Sequence, residues 1–137
     1  MDKNLYQKII LFLTKHIKDI DSIYIFGSYA SKDNTDASDI DIAFLNKIDL
    51  TPVEMWDISS TLSNLLMIDV DLIDLKNTNT VFRFEIIHKG IKIYEADKKT
   101  VEEFEDLTYS FYLELNEIRT LIIQDMQKDG ISRDYDK

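Results

Sequence analysis

An apolar run that stops at Gly27-Ser28 and is followed, ten residues later, by Asp39-Ile40-Asp41 constrains this chain more than any other feature. It sets two buried strands around a turn and places a pair of carboxylates at the head of the second strand. The stretch reads IFGSYASKDNTDASDIDIAF, from Ile25 to Phe44. Successive side chains on a strand point to opposite faces. Asp39, Asp41 and Ala43 therefore share one face, while Ile40, Ile42 and Phe44 share the other and supply core. Two acids side by side repel each other unless something positive sits between them, and a cation is the natural neutraliser. The triplet alone says little, because Asp-x-Asp recurs at Asp19/Asp21, Asp69/Asp71 and Asp134/Asp136. Most such pairs are solvated charge. Position at the start of a strand sets the pair at Asp39 apart.

With 137 residues, 45% of them hydrophobic and 31% charged, the chain fits one compact domain, 1–137, with a real core. No apolar run approaches the roughly 20 residues of a membrane span. The opening MDKNLYQK lacks the order of a secretory signal. The absence of Cys excludes disulfides and thiolate metal sites, and two distant His argue against a His-rich zinc site. These features lead to an expectation of a cytoplasmic protein without a membrane partner. A net charge of −10 disfavours long nucleic acid, which needs a basic footprint. A nucleotide arriving with magnesium brings its own counter-charge and stays compatible.

Leu5, Ile9, Leu13, Ile17 and Ile20 follow helical spacing, so the pattern predicts a helix over 3–19. Ser22 to Phe26 reads as a buried strand, 31–38 as loop, and Ile40 to Leu45 as a second strand. Thr51-Pro52-Val53-Glu54 combines a capping box with Pro at the first helical position. It opens a helix to about Leu66 with Trp56, Leu62 and Leu65/Leu66 inward. Ile68 to Leu75 is a third strand, Thr80 to Lys89 a helix stopped by Gly90, and Ile91 to Tyr94 a fourth strand. A second capping box, Thr100 to Glu103, leads into a helix of roughly 25 to 30 residues ending near Gly130. The tail beyond it reads as mobile. This order gives an α+β layered fold: a small mixed sheet of about four strands with helices packed on it, plus a long C-terminal helix. The core spans about 20–95 and the last helix about 100–129. The strand of Asp71 lies beside or near that of Asp41, with Asp69 and Asp71 on one face. Asp74 alternates to the other face, and Asp69 reads as an edge charge.

Gly27-Ser28, ten residues, Asp39-x-Asp41 and a later Val70-Asp71-Leu72 strand together resemble the DNA-polymerase-β-like nucleotidyltransferase superfamily. The small size and the run Gly90-Ile91-Lys92-Ile93-Tyr94-Glu95 are similar to its minimal nucleotidyltransferases (MNT). These include the MntA-type antitoxins of HEPN/MNT toxin–antitoxin systems. The resemblance covers about residues 20–95. It implies a polymerase-β-like fold and an ATP- and Mg²⁺-dependent protein adenylyltransferase that moves AMP to a tyrosine of a cognate HEPN-domain toxin, in a hetero-oligomer. Asp39, Asp41 and Asp71 would then be the catalytic, metal-holding acids, with two Mg²⁺ ions expected. Gly27 and Ser28 would hold the nucleotide phosphates near a helix N-terminus. An Arg-Gly that often follows this motif is replaced here by Ser31-Lys32, so Lys32 would take over any phosphate contact, or the contact is missing.

Two alternatives stay open: transfer to a small molecule such as an aminoglycoside, and a non-catalytic antitoxin that acts by binding. The intact acidic triad argues against the second. Arg83 reads as a helix-surface ion pair ahead of a nucleotide contact. His16 and His88 read as structural or exposed, and Trp56, Phe82 and Phe84 as core. The far half of the C-terminal helix, with Tyr109 and Tyr112, is expected to dock the toxin or a second copy. Polar replacement of Leu115, Ile118 and Ile122 is expected to unfold the chain, which leaves Tyr112 and Arg119 as exposed probes.

Overall fold

The computed structural model describes residues 2–31 and 39–128. Lys32 and most of the expected loop, like the tail after Gly130, lie outside the described residues. Helix α1 (Asp2–His16) leads into β1 (Ile20–Phe26), a single turn α2 (Ser28–Ser31), β2 (Ile40–Asn46), α3 (Pro52–Leu66), β3 (Val70–Asp74), α4 (Thr80–Lys89), β4 (Ile91–Glu95) and α5 (Lys98–Lys128). The four strands form one mixed sheet in the order β3-β2-β1-β4. β1 is antiparallel to both neighbours, and β2 runs parallel to β3 across the α3 connection.

Alternation on the central strands separates two apolar layers. Ile23, Ile25, Ile40, Ile42, Phe44 and Leu72 pack with Ile9, Phe12 and Leu13 of α1, with Ile17 just beyond it, and with Ile58 and Leu62 of α3. Tyr24, Ala43 and Leu45 face the other way, toward Leu75, Ile86 and Phe104. The face that carries Asp41 is thus a second core beyond its first residues, because α4 and α5 cover it. The Tyr24 hydroxyl donates to Glu105 Oε2 at 2.6 Å, and Lys92 Nζ reaches Glu105 at 3.1 Å and Glu95 at 2.7 Å. These bonds tie the first turns of α5 to the sheet. Burial and the Glu105 carboxylate both push the Tyr24 hydroxyl well above its ordinary pKa, so it stays a donor.

Helix α3 begins with the expected capping box, Thr51 Oγ1 accepting from Glu54 N at 3.1 Å and Glu54 Oε1 from Thr51 N at 2.9 Å. Ser59 Oγ donates to the Val70 carbonyl at 3.0 Å, and the Val70 amide donates to Ser63 Oγ at 2.9 Å. Helix α3 therefore satisfies the outward backbone groups of Val70, at the start of an edge strand. Helix α4 runs Thr80–Lys89 and stops at Gly90 as the pattern predicts.

Several expectations are corrected. Trp56 is 70% exposed, because Ile58 and Leu62 define the inward stripe and Trp56 lies two residues, about 200°, around the helix from Ile58. Leu65 is also exposed, with Leu66 inward, and Phe82 is partly exposed with its ring edge-to-face on Phe26. The third strand is shorter than expected, since Leu75–Asn77 forms a 3-10 turn capped by Asp74. Helix α5 starts at Lys98 rather than at a box over Thr100–Glu103. The Asp97 carboxylate takes the Lys99 amide at 3.2 Å and the Thr100 hydroxyl at 2.7 Å. Among the described residues no helix is long and apolar enough to cross a membrane.

The 31 residues of α5 span roughly 46 Å at 1.5 Å per residue. Val101 and Thr108 are buried against the core, whereas Leu115, Ile118 and Ile122 are exposed. Polar replacement at those three positions therefore leaves the core intact, contrary to the expectation. Tyr112 stacks face to face on Phe84 with centroids 3.7 Å apart, so it is part of the α4–α5 packing and a poor probe of docking.

Candidate active site

The C-terminal end of β1 and the N-terminal ends of β2 and β3 lie together, because β1 is antiparallel to β2 while β2 and β3 are parallel. Register places Phe26 opposite Asp41 and sets Asp41 directly beside Asp71. Asp39 immediately precedes β2. The sequence reading put the two strands beside or near each other, and the pairing makes the two acids immediate neighbours.

Gly27 is required here for two reasons. Its φ of +71° lies in the left-handed region, and a Cβ at this position would overlap Asp41 Oδ2. The Asp41 carboxylate thus rests on bare backbone at the end of β1. Burial raises the Asp41 pKa above the ordinary carboxylate value, and the charges of Asp71 and then Asp39 push it the same way. Asp39 and Asp71 are exposed. No described side chain forms an ion pair with any of the three.

A half-buried carboxylate with no cationic partner among the described residues, flanked by two more, is donor chemistry suited to a hard divalent ion. The acids do not close a ligand shell alone. Among the described residues no group of three acidic or imidazole side chains is arranged to hold a metal. Mg²⁺ commonly retains waters and shares substrate phosphates, which would complete such a shell.

Ser28 opens the single turn α2, in which the amides of Ala30 and Ser31 both reach the Gly27 carbonyl at 3.1 Å. A cavity of about 270 Å³ adjoins this turn, lined by Phe26, Gly27, Ala30 and Ser31 on one side and by Phe82, Glu85, Ile86 and Lys89 of α4 on the other. Sequence reasoning read Phe82 as core and passed over Glu85, Ile86 and Lys89. The available signal was topological: Ile25 pairs with Ile91, so the turn from α4 into β4 must pass the end of β1.

Other expected polar residues serve the fold. Asp74 faces away from the site and accepts from the Lys76 amide at 3.1 Å and from Asn77 Nδ2 at 2.7 Å. The Asp69 side chain is exposed while its carbonyl accepts from the Ile40 amide at 2.9 Å. His16 is exposed and bonded to the Phe12 carbonyl at 2.8 Å. Arg83 makes neither the surface ion pair nor a contact with the acids. Its guanidinium donates to the carbonyls of Leu75, Lys76 and Thr78 at 3.0, 3.2 and 2.9 Å and lies over the Phe104 ring. Arg83→Met is expected to lower stability by about 1–3 kcal/mol, from carbonyls left without their charged donor. Thermal denaturation of the variant beside the parent checks this.

An Asp-x-Asp strand after a Gly-Ser turn, with a third acid beside it on a parallel neighbour, is an arrangement suited to nucleotidyl transfer. The chain belongs to the polymerase-β nucleotidyltransferase family, whose pattern, described as "Polymerase beta, Nucleotidyltransferase", matches residues 7–99. It is similar to the protein adenylyltransferase MntA of Shewanella oneidensis, with 34% identity over 126 residues, covering 92% of this chain and 90% of the relative. Among solved structures, a chain of a toxin–antitoxin complex with AMP-PNP superposes with a TM-score of 0.79 at 34% identity, covering 89% of this chain and 98% of that one. A chain of the tri-AMPylated Shewanella oneidensis HEPN toxin in complex with its MNT antitoxin gives a TM-score of 0.77 at 32% identity, covering 93% and 99%. The polymerase-β-like fold and nucleotidyltransferase activity follow from this membership.

Proposed function

We propose that this chain is an antitoxin that transfers AMP from ATP to a tyrosine hydroxyl of a cognate HEPN-domain toxin and thereby neutralises it. The observation that carries the chemistry is the direct pairing of Asp41 with Asp71 beside the Gly27 turn. Support for the acceptor comes from the AMPylated toxin in the similar complex and from the apolar far half of α5. Val81, Leu115, Ile118, Ile122 and Met126 line an open groove of about 630 Å³ there, a large apolar surface for a helix to leave uncovered.

In this reading the acceptor oxygen attacks the α-phosphorus of ATP while the bond to pyrophosphate breaks, and pyrophosphate leaves with the electron pair. Asp39 and Asp41 would hold Mg²⁺, and Asp71 would complete the ligand set on the acceptor side and take the hydroxyl proton. Two such ions, when bound, supply charge stabilisation at the attacking and departing oxygens. Gly27 gives the phosphates close access to backbone, and Ser28 adds a hydroxyl at the head of α2.

The test is a transfer assay with labelled ATP and the co-expressed toxin. Label is expected on a toxin tyrosine, lost with EDTA and lost in Asp71→Asn, while Asp74→Asn stays close to the parent. Equal losses for Asp71 and Asp74 would overturn the site. Ile118→Asp with Ile122→Asp should leave the isolated fold intact and release the toxin on co-purification. Retention of the toxin at parental yield would remove α5 from the interface.

A further inference from the structure

We infer that Lys89 is the cation that receives the terminal phosphates and departing pyrophosphate, with Glu85 as its competing partner when no nucleotide is bound. The inference rests on the proposed AMP transfer and assigns a residue to its leaving-group side. In-line displacement puts the attacking oxygen and the leaving oxygen on opposite sides of the α-phosphorus. In the proposed reaction Asp71 on β3 serves the acceptor side, Asp41 on β2 comes next, and the end of β1 on the far side adjoins the cavity whose other wall is α4.

In a chain of net charge −10, a positive group at that end would add to the counter-charge that magnesium brings with a triphosphate. Arg83 is committed to backbone carbonyls. Lys89 is the cationic side chain lining the cavity beside Gly27 and Ser31 among the described residues. Its side chain is 71% exposed, and its Nζ lies 3.0 Å from Glu85 Oε2, one helical turn away. An exposed pair of this kind contributes little to stability. The ammonium can therefore exchange Glu85 for phosphate oxygens at small cost. When the α-phosphorus–oxygen bond breaks, the charge that develops on the departing pyrophosphate lies on the Lys89 side of the phosphorus.

A lysine in the last turn of α4 would also be explained by the helix dipole alone, so the experiment must separate the two roles. Binding of Mg²⁺ with a non-hydrolysable ATP analogue is measured by calorimetry, and its competition by pyrophosphate is measured in the same way. Lys89→Met is expected to weaken both by about ten-fold, the loss of one charged contact. Lys89→Arg should restore most of that loss, and Glu85→Gln should tighten both above the parent. The thermal midpoints of all three should stay near the parental value. Unchanged analogue and pyrophosphate affinity in Lys89→Met, with a parent that does bind, refutes the role of Lys89 alone. A parent that binds neither ligand removes the nucleotidyl-transfer reading itself.

Discussion

Asp41→Asn is expected to abolish AMP transfer and at the same time to raise the thermal midpoint at neutral pH. Activity should fall at least about 10³-fold, because in the proposed mechanism the substitution removes the carboxylate charge that would hold the metal. Stability moves the other way because the native environment disfavours the charged form. Desolvation and the neighbouring Asp71 and Asp39 charges raise the Asp41 pKa in the folded state. The unfolded chain binds its proton less tightly, so ionised Asp41 costs the fold stability above the ordinary carboxylate range. That cost is absent at low pH, grows as pH rises from the ordinary value through the raised one, and is constant beyond it. Because the group is partly solvated, the gain in the Asn variant should be small, about 1–3 °C at pH 7. The gap between variant and parent should close as pH falls through the window. Differential scanning calorimetry across pH checks this, and a variant less stable than the parent at pH 7 contradicts the environment assigned to Asp41.

Gly27→Ala should disable the site through geometry. The new Cβ would overlap the Asp41 carboxylate, and the residue would have to hold φ +71°. The left-handed conformation costs an L-residue roughly 1–2 kcal/mol. Displacing the carboxylate should cost about 10²-fold in transfer rate, as misplacement on the order of 1 Å does elsewhere. Gly27→Asn separates the two effects, since Asn tolerates left-handed backbone yet still carries a Cβ. Asn should recover part of the lost stability and none of the lost activity. Full activity in Gly27→Ala would mean that the carboxylate does not need its present position.

How much of this was legible in the sequence follows from the range of each determinant. The Thr51 capping box, the Gly90 stop and the alternation of Ile40, Ile42 and Phe44 are local, and the elements fall where those signals put them. Alternation also put Asp39 and Asp41 on one strand face, while the Asp41–Asp71 pairing needed a parallel neighbour that only the folded sheet defines. Trp56 was misjudged because hydrophobicity says nothing about which side of α3 meets the sheet. Arg83 was misjudged because its partners are main-chain carbonyls of the 3-10 turn, which carry no side-chain signature. The start of α5 escaped because an Asp side chain closes the first turn three residues ahead of the more conspicuous Thr100.

The serines of α3 that engage Val70 have a consequence for how copies of this chain meet one another. A sheet edge with unclaimed amides and carbonyls invites a strand from another molecule, and stacking of that kind seeds disordered assembly. Here Ser59 and Ser63 occupy the donor and acceptor at the start of β3, and a five-residue strand shortened in this way has too little ladder left to template growth. Strand addition at the start of β3 is blocked by two hydroxyls, which leaves contacts there to side-chain surfaces.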